Sequence, residues 1–255
     1  MSWLAFDGLL WFLGCLAAFV VAQRRLHREL QAVFLLLTRH PAVTVGVFSL
    51  LLFPGVLLHE LSHYLMARLL GVRTGRFSLL PAVLADGTVR LGYVETAQVD
   101  FGRDALIGMA PLLTGGALTA YLGIERLGFL QLAESFSRGG LSGFWQGLVA
   151  LPQQSDFWLW FYLTLAISST MLPSASDRRG WLPLGLTVGG LVALAVVAGA
   201  GPWMLENLAP GLNQLLRALA VVLAISLVVH GVLLVPVWAL RRLIERLTGM
   251  RVQGL

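Results

Sequence analysis

Hydrophobic residues run along this chain in long blocks separated by short polar stretches, not in the tight alternation of a soluble fold. The blocks cover residues 2–22, 41–71, 106–122, 157–172, 181–201 and 218–240. Most approach the ~20 residues that carry a helix across a bilayer core, so each predicts a transmembrane helix. The expected fold is therefore an all-α membrane protein of about six transmembrane helices. Residues 72–99 break the pattern. Val72, Arg73, Thr74, Arg76, Phe77 and Leu79 suit one strand, Asp86-Gly87 a turn, and residues 88–96 a second, alternating strand. This predicts a small β-hairpin after the second helix, with an edge able to hold an extended peptide.

The mixed segments predict surface structure. In residues 24–40, Arg24, Arg25, Arg28, Glu29 and Arg39 interleave with leucines, which suits an amphipathic helix lying on the membrane interface. Residues 125–156 read as an interfacial helix plus loop, residues 202–214 as a short loop or surface helix, and residues 241–255 as a basic tail. Three units follow: 1–42 with the first transmembrane helix and the interfacial helix, 43–180 with three helices and the hairpin 72–99, and 181–255 with two more helices and the tail. With six crossings both termini share a side. That side collects the larger share of the arginines, which places both termini in the cytoplasm of a multi-pass protein of the cell (inner) membrane.

Composition narrows the chemistry. The chain is 57% hydrophobic and 12% charged, as a polytopic membrane protein is. All 18 basic residues are arginine, so a phosphate-loop lysine, a Ser-Lys dyad and a Schiff-base lysine are excluded. Cys15 is the single cysteine, which excludes a disulfide framework and a thiolate-rich metal site. A net charge of +5, spread over loops, suits anionic headgroups and gives no nucleic-acid surface.

One stretch carries a reaction. His59-Glu60-Leu61-Ser62-His63 reads H-E-x-x-H within the second block. On a helix the two histidines share a face and can bind one metal ion, with Glu60 near a water on that ion. The motif arises in roughly 0.3% of shuffled chains of this composition, and ionisable groups inside an apolar helix are costly without a role. Pro54-Gly55, just upstream, predicts a bend. In a six-helix topology the second and fourth helices run the same way, so Asp177, after the fourth, lies at the depth of the histidines and is the natural third ligand. Glu95, Asp100 and Asp104 are weaker candidates. The metzincin continuation fails because Met66 stands where glycine is required. His230 is placed as an outer partner or a hydrogen-bonded packing residue.

In these residues the chain resembles the site-2 proteases, a family of intramembrane zinc metalloproteases. The resemblance spans residues 43–179 and rests on His59, Glu60 and His63, the strand-rich segment after them, and Asp177. It implies Zn(2+) held by His59, His63 and Asp177, Glu60 activating water, and cleavage of transmembrane or membrane-anchored protein substrates near the cytoplasmic face. The family's second motif, N-x-x-P-x-x-x-x-D-G, is altered: Ser169 stands at the Asn position, Pro173 is offset by one and Arg178 replaces Gly. Ser169 or Thr170 would then donate to substrate or oxyanion. No stretch accommodates the PDZ or CBS domain of many members, so the chain resembles a minimal or divergent one. Two other readings are a non-proteolytic metal-binding membrane protein, for transport or partner binding, and a rhomboid-like serine protease built on Ser142, in Gly140-Leu141-Ser142-Gly143, with His230.

Overall fold

The computed structural model describes residues 7–83 and 89–252; the start of the first block and the Asp86-Gly87 turn lie outside the described residues. The helices are α1 (Gly8–Thr38), α2 (Pro41–Leu51), α3 (Phe53–Leu69), α4 (Phe101–Tyr121), α5 (Phe129–Ala150), α6 (Phe157–Thr170), α7 (Trp181–Ala195), α8 (Gly201–Asn207) and α9 (Ala209–Thr248). Between α3 and α4 lie β1 (Thr74–Ser78), β2 (Ala82–Val83), β3 (Val89–Arg90) and β4 (Tyr93–Thr96). Among the described residues four helical segments are long and apolar enough to cross a membrane, and the pair α2–α3, bent by 72°, makes a fifth. At 14 residues α6 is shorter than these.

The 24–40 segment is not a separate interfacial helix. No glycine or proline occurs between Cys15 and His40, and Leu26, Ala32, Val33 and Leu36 extend the buried face, so α1 continues unbroken to Thr38. α2 and α3 meet at Leu52, where Pro54, near the start of α3, cannot donate back to the preceding turn. At the other end of α3, the Gly71 amide bonds Arg68 O (3.1 Å) and the Val72 amide bonds Ala67 O (2.8 Å). This glycine-terminated pair of bonds turns the chain out of the helix and into β1.

β1 and β4 pair antiparallel, with Thr74 opposite Thr96 and Phe77 opposite Val94, and β2 pairs with β3. The expected second strand is thus split at Leu91-Gly92. α5 folds back on itself at Gly140, whose φ of 55° and ψ of −141° favour glycine. Its two halves pack closely enough that a side chain at Gly143 would strike the Ser135 carbonyl.

Helix directions follow from paired contacts. Asp7 meets Arg217 at one end of α1 and α9, and Glu29 meets Arg241 at the other, so these two helices run parallel. α4 runs with them: Gly116 lies beside Val222 and Gly123 beside Ile225. α3 and α6 run together in the reverse sense, with Gly55 against Ala166 and His59 against Thr170. The buried cluster of Leu26, Leu127, Phe157, Phe161, Leu165 and Val229 joins α1, α6 and α9.

Parallel α1 and α9 differ from the opposite runs expected of the first and last helices. The segment 181–207 explains the difference. It begins at Gly180 against the start of α4, kinks at Gly199 (φ 92°), and hands the chain to α9 at the same end of the bundle. None of its residues is buried.

Candidate metal centre

The reverse-running pair α3 and α6 builds the site. α3 presents His59 and His63 one turn apart, and the loop after α6 brings Asp177 against them. His59 Nε2 lies 3.1 Å from His63 Nε2 and 3.7 Å from Asp177 Oδ2, and His63 Nε2 lies 3.4 Å from Asp177 Oδ1. Glu95, Asp100 and Asp104 are not part of this cluster. Asp100 caps α4, accepting from the Gly102 and Arg103 amides at 3.1 Å each. Glu95 accepts from the Arg76 amide.

Each ring is oriented from behind. His59 Nδ1 lies 2.6 Å from the Thr170 carbonyl oxygen, and His63 Nδ1 lies 2.9 Å from that of Ile107. A carbonyl only accepts, so both Nδ1 atoms carry a hydrogen, and each ring in its neutral form turns an Nε2 lone pair toward Asp177. Asp177 is positioned by its own turn: its carboxylate accepts from the Ser174 amide (2.7 Å), and its amide donates to Ser174 Oγ (3.3 Å). Burial opposes the charge of Asp177, and the hydrogen bonds within its own turn, from Ser174, favour it. With both rings neutral, two lone pairs and a carboxylate converge here, a set of donors that a cation would bridge.

The donor set suits zinc. Zinc takes imidazole nitrogens and carboxylate oxygens, and one such atom from each of the three residues lies within 4.8 Å of the others.

These residues open into a cavity of about 1260 Å³. Glu60 is buried on its wall, and Gly92 lies so close that an added Cβ would stand 2.9 Å from Glu60 Cγ. Residues 90–96 form one side, and α1 contributes Gln23, His27 and Gln31.

Ser169 and Thr170 also line the cavity, but not as donors. His230 Nδ1 bonds the Ser226 carbonyl (2.8 Å), so its Nε2 accepts from Ser169 Oγ (2.9 Å). The Ser169 hydrogen thus points away from the cavity. The Thr170 hydroxyl is turned back onto Ala166 O and Ile167 O, both at 3.2 Å, and it is the Thr170 carbonyl that serves the site. His230 is fully buried against Phe19 and acts as a hydrogen-bonded packing residue. Ser142 is exposed on α5 and donates to Gly139 O, while His230 bonds Ser169, so the structure does not bring Ser142 and His230 together.

Sequence reasoning missed the backbone carbonyls of Ile107 and Thr170, for which no residue type is a signal. It also missed Ser174, although Ser-x-x-Asp is a local pattern for reciprocal bonding. No protein-family model, no curated protein and no solved structure matches the chain.

Proposed function

We propose that the protein is an intramembrane zinc metalloendopeptidase that hydrolyses peptide bonds of transmembrane or membrane-anchored proteins. The observation that carries this reading is the convergence of two bare imidazole nitrogens and an ionised carboxylate beside a buried glutamate, at the wall of a peptide-sized cavity. His59, His63 and Asp177 would hold the ion. Zinc in such a site supplies an acidified water, with a pKa near ~7, and an electrophile for the scissile carbonyl. Glu60 takes the proton of the attacking water and returns it to the leaving amine. The strand segment at Arg90–Thr96 offers backbone groups to a substrate unwound from its helix, because a helical substrate hides its carbonyls in its own hydrogen bonds.

Two ion pairs between α1 and α9 support one placement of the membrane. Asp7 and Glu29 are separated along α1 by about 33 Å at 1.5 Å per residue, close to the ~30 Å of a hydrocarbon core. The bundle then crosses five times, with α1, α2–α3, α4, α6 and α9, and the two chain ends face opposite sides. In this topology the arginines divide almost evenly between the sides and set no orientation. Cleavage near the cytoplasmic face, as in the family the chain resembles, would put the start of α1 in the cytoplasm.

The test is metal content of the detergent-purified protein, for wild type, His59→Ala and Asp177→Ala, followed by peptide hydrolysis with Glu60→Gln. One zinc per chain, lost in both ligand variants, together with hydrolysis lost in Glu60→Gln, is the expected result. Zinc bound without hydrolysis would leave the non-proteolytic metal-binding reading, and a metal-free wild type would sink both.

A further inference from the structure

A second cavity, of about 520 Å³, opens between α1 and α9 and shares no lining residue with the first. Its polar end is made by Arg25, Arg28, Glu29 and Arg241, and its apolar side includes Leu234 and Trp238. Arg25 and Arg28 stand one turn apart on the same face of α1, both exposed, and make no hydrogen bond or ion pair among the described residues. Two like charges so placed repel each other and favour an anion between them. Glu29 does not cancel them, because its Oε1 is bound by Arg241 at 3.2 Å. Its other oxygen, Oε2, is buried and accepts no hydrogen bond. The cavity thus asks for an anion at one place and a hydrogen-bond donor at another.

Its location says what brings both. Glu29–Arg241 is the ion pair one bilayer thickness from Asp7–Arg217, which is the level of phospholipid headgroups. Beside it Val235 is 68% exposed and Trp238 47% exposed, an outward apolar flank along which acyl chains can lie. We propose that this cleft binds the headgroup of an anionic, hydroxyl-bearing phospholipid of the phosphatidylglycerol type. Arg25 and Arg28 hold the phosphate, a headgroup hydroxyl donates to Glu29 Oε2, and Trp238 packs at the start of the chains. Phosphatidylcholine has neither the net charge nor the hydroxyl. The inference rests on the membrane placement and not on the metal chemistry.

The experiment uses the full chain in detergent. Thermal unfolding is followed while phosphatidylglycerol, phosphatidylcholine or inorganic phosphate is titrated, for wild type and for the double variant Arg25→Gln/Arg28→Gln. Both side chains are exposed, so the variant should unfold like wild type in phosphatidylcholine. The expected result is a preference for phosphatidylglycerol over phosphatidylcholine of roughly 30-fold in midpoint concentration, from about fivefold per arginine at a charged membrane surface, abolished in the double variant and retained in Arg25→Lys/Arg28→Lys. Equal midpoints for the two lipids, or an undiminished preference in the glutamine variant, would overturn the proposal. Stabilisation by millimolar inorganic phosphate equal to that by phosphatidylglycerol would also overturn it, by making the site one for free phosphate.

Discussion

Gly108 lies where α4 passes the loop that carries Asp177. A methyl group added there would collide with the Asp177 carbonyl oxygen and stand 3.2 Å from its Cα. Backbone meets backbone at this point, so no rotamer change relieves the contact. To restore ordinary van der Waals spacing the loop must retreat by on the order of 1 Å. Metal–ligand distances tolerate about ±0.2 Å, so Asp177 would leave its place as third ligand. Gly108→Ala should therefore weaken zinc affinity by roughly 10–100-fold, the loss usual when the support of a ligand is removed. Helix propensity pulls the other way, since alanine is ~0.8–1 kcal/mol better than glycine inside a helix. Gly116→Ala, two turns along the same helix, supplies the contrast. Its methyl would rest 3.9 Å from Val222 Cγ1 in ordinary contact, so it should keep zinc and unfold no earlier than wild type. The assay is competition for zinc against a chromogenic chelator, with thermal unfolding by circular dichroism on the same samples. Wild-type zinc affinity in a folded Gly108→Ala protein would refute the reasoning that α4 holds Asp177 in place.

Other outcomes follow from the same geometry. Glu60→Gln should lower hydrolysis by roughly 10²–10⁴-fold while zinc stays bound, whereas Ser169→Ala, which removes only a bond to His230, should stay within about tenfold of wild type. Stripping the metal with a chelator should lower the stability of wild type by about 2.7 kcal/mol relative to protein at a zinc concentration 100 times Kd, and should leave His63→Ala unmoved. Arg217 donates to Asp7 and lowers its pKa from 3.8, so this clamp contributes fully above that value and is lost as pH falls below it. Arg217→Gln should accordingly flatten the acid limb of a stability–pH curve, and an unchanged limb would count against the clamp. Tags at the two termini should be protease-accessible from opposite sides of sealed vesicles; accessibility from one side would restore an even number of crossings.

The pairing of His59 with His63 was legible because each is a chemically specific residue in a spacing that a helix makes useful. Asp177 was legible for another reason: it needs only that the second and fourth helices point the same way, and they do, as Gly55 against Ala166 attests. The segment 181–207 has the hydropathy of a spanning helix, yet it is kinked at Gly199 and returns to its own end of the bundle. Hydropathy reports whether a segment tolerates lipid, not whether it crosses. Gly140 and Gly143 frame a stretch that also matches a nucleophile motif, for a related reason. Tight helix packing and catalytic turns both need a residue without a side chain, and only the contact with Ser135 tells them apart.

Residues 24–40 were misread more instructively, and their correction bears on the reaction. A run of arginines among leucines averages to an interfacial helix, but on α1 the polar residues sort by face. Arg25 and Arg28 turn toward the cleft with α9, while Gln23, His27 and Gln31, each one turn from the next, turn into the large cavity. Hydrolysis of a peptide bond inside a bilayer needs water, and an apolar wall would not hold it. A stripe of two amides and an imidazole gives one side of the cavity polar groups along two turns of helix. Gln23 is fixed there by donating to the Ser169 carbonyl at 2.7 Å, one residue from the carbonyl that orients His59. The helix that looked like a surface connection is therefore a polar wall of the cavity. Its uninterrupted length puts polar groups at the depth of the metal ligands without breaking the backbone hydrogen bonds that a membrane requires.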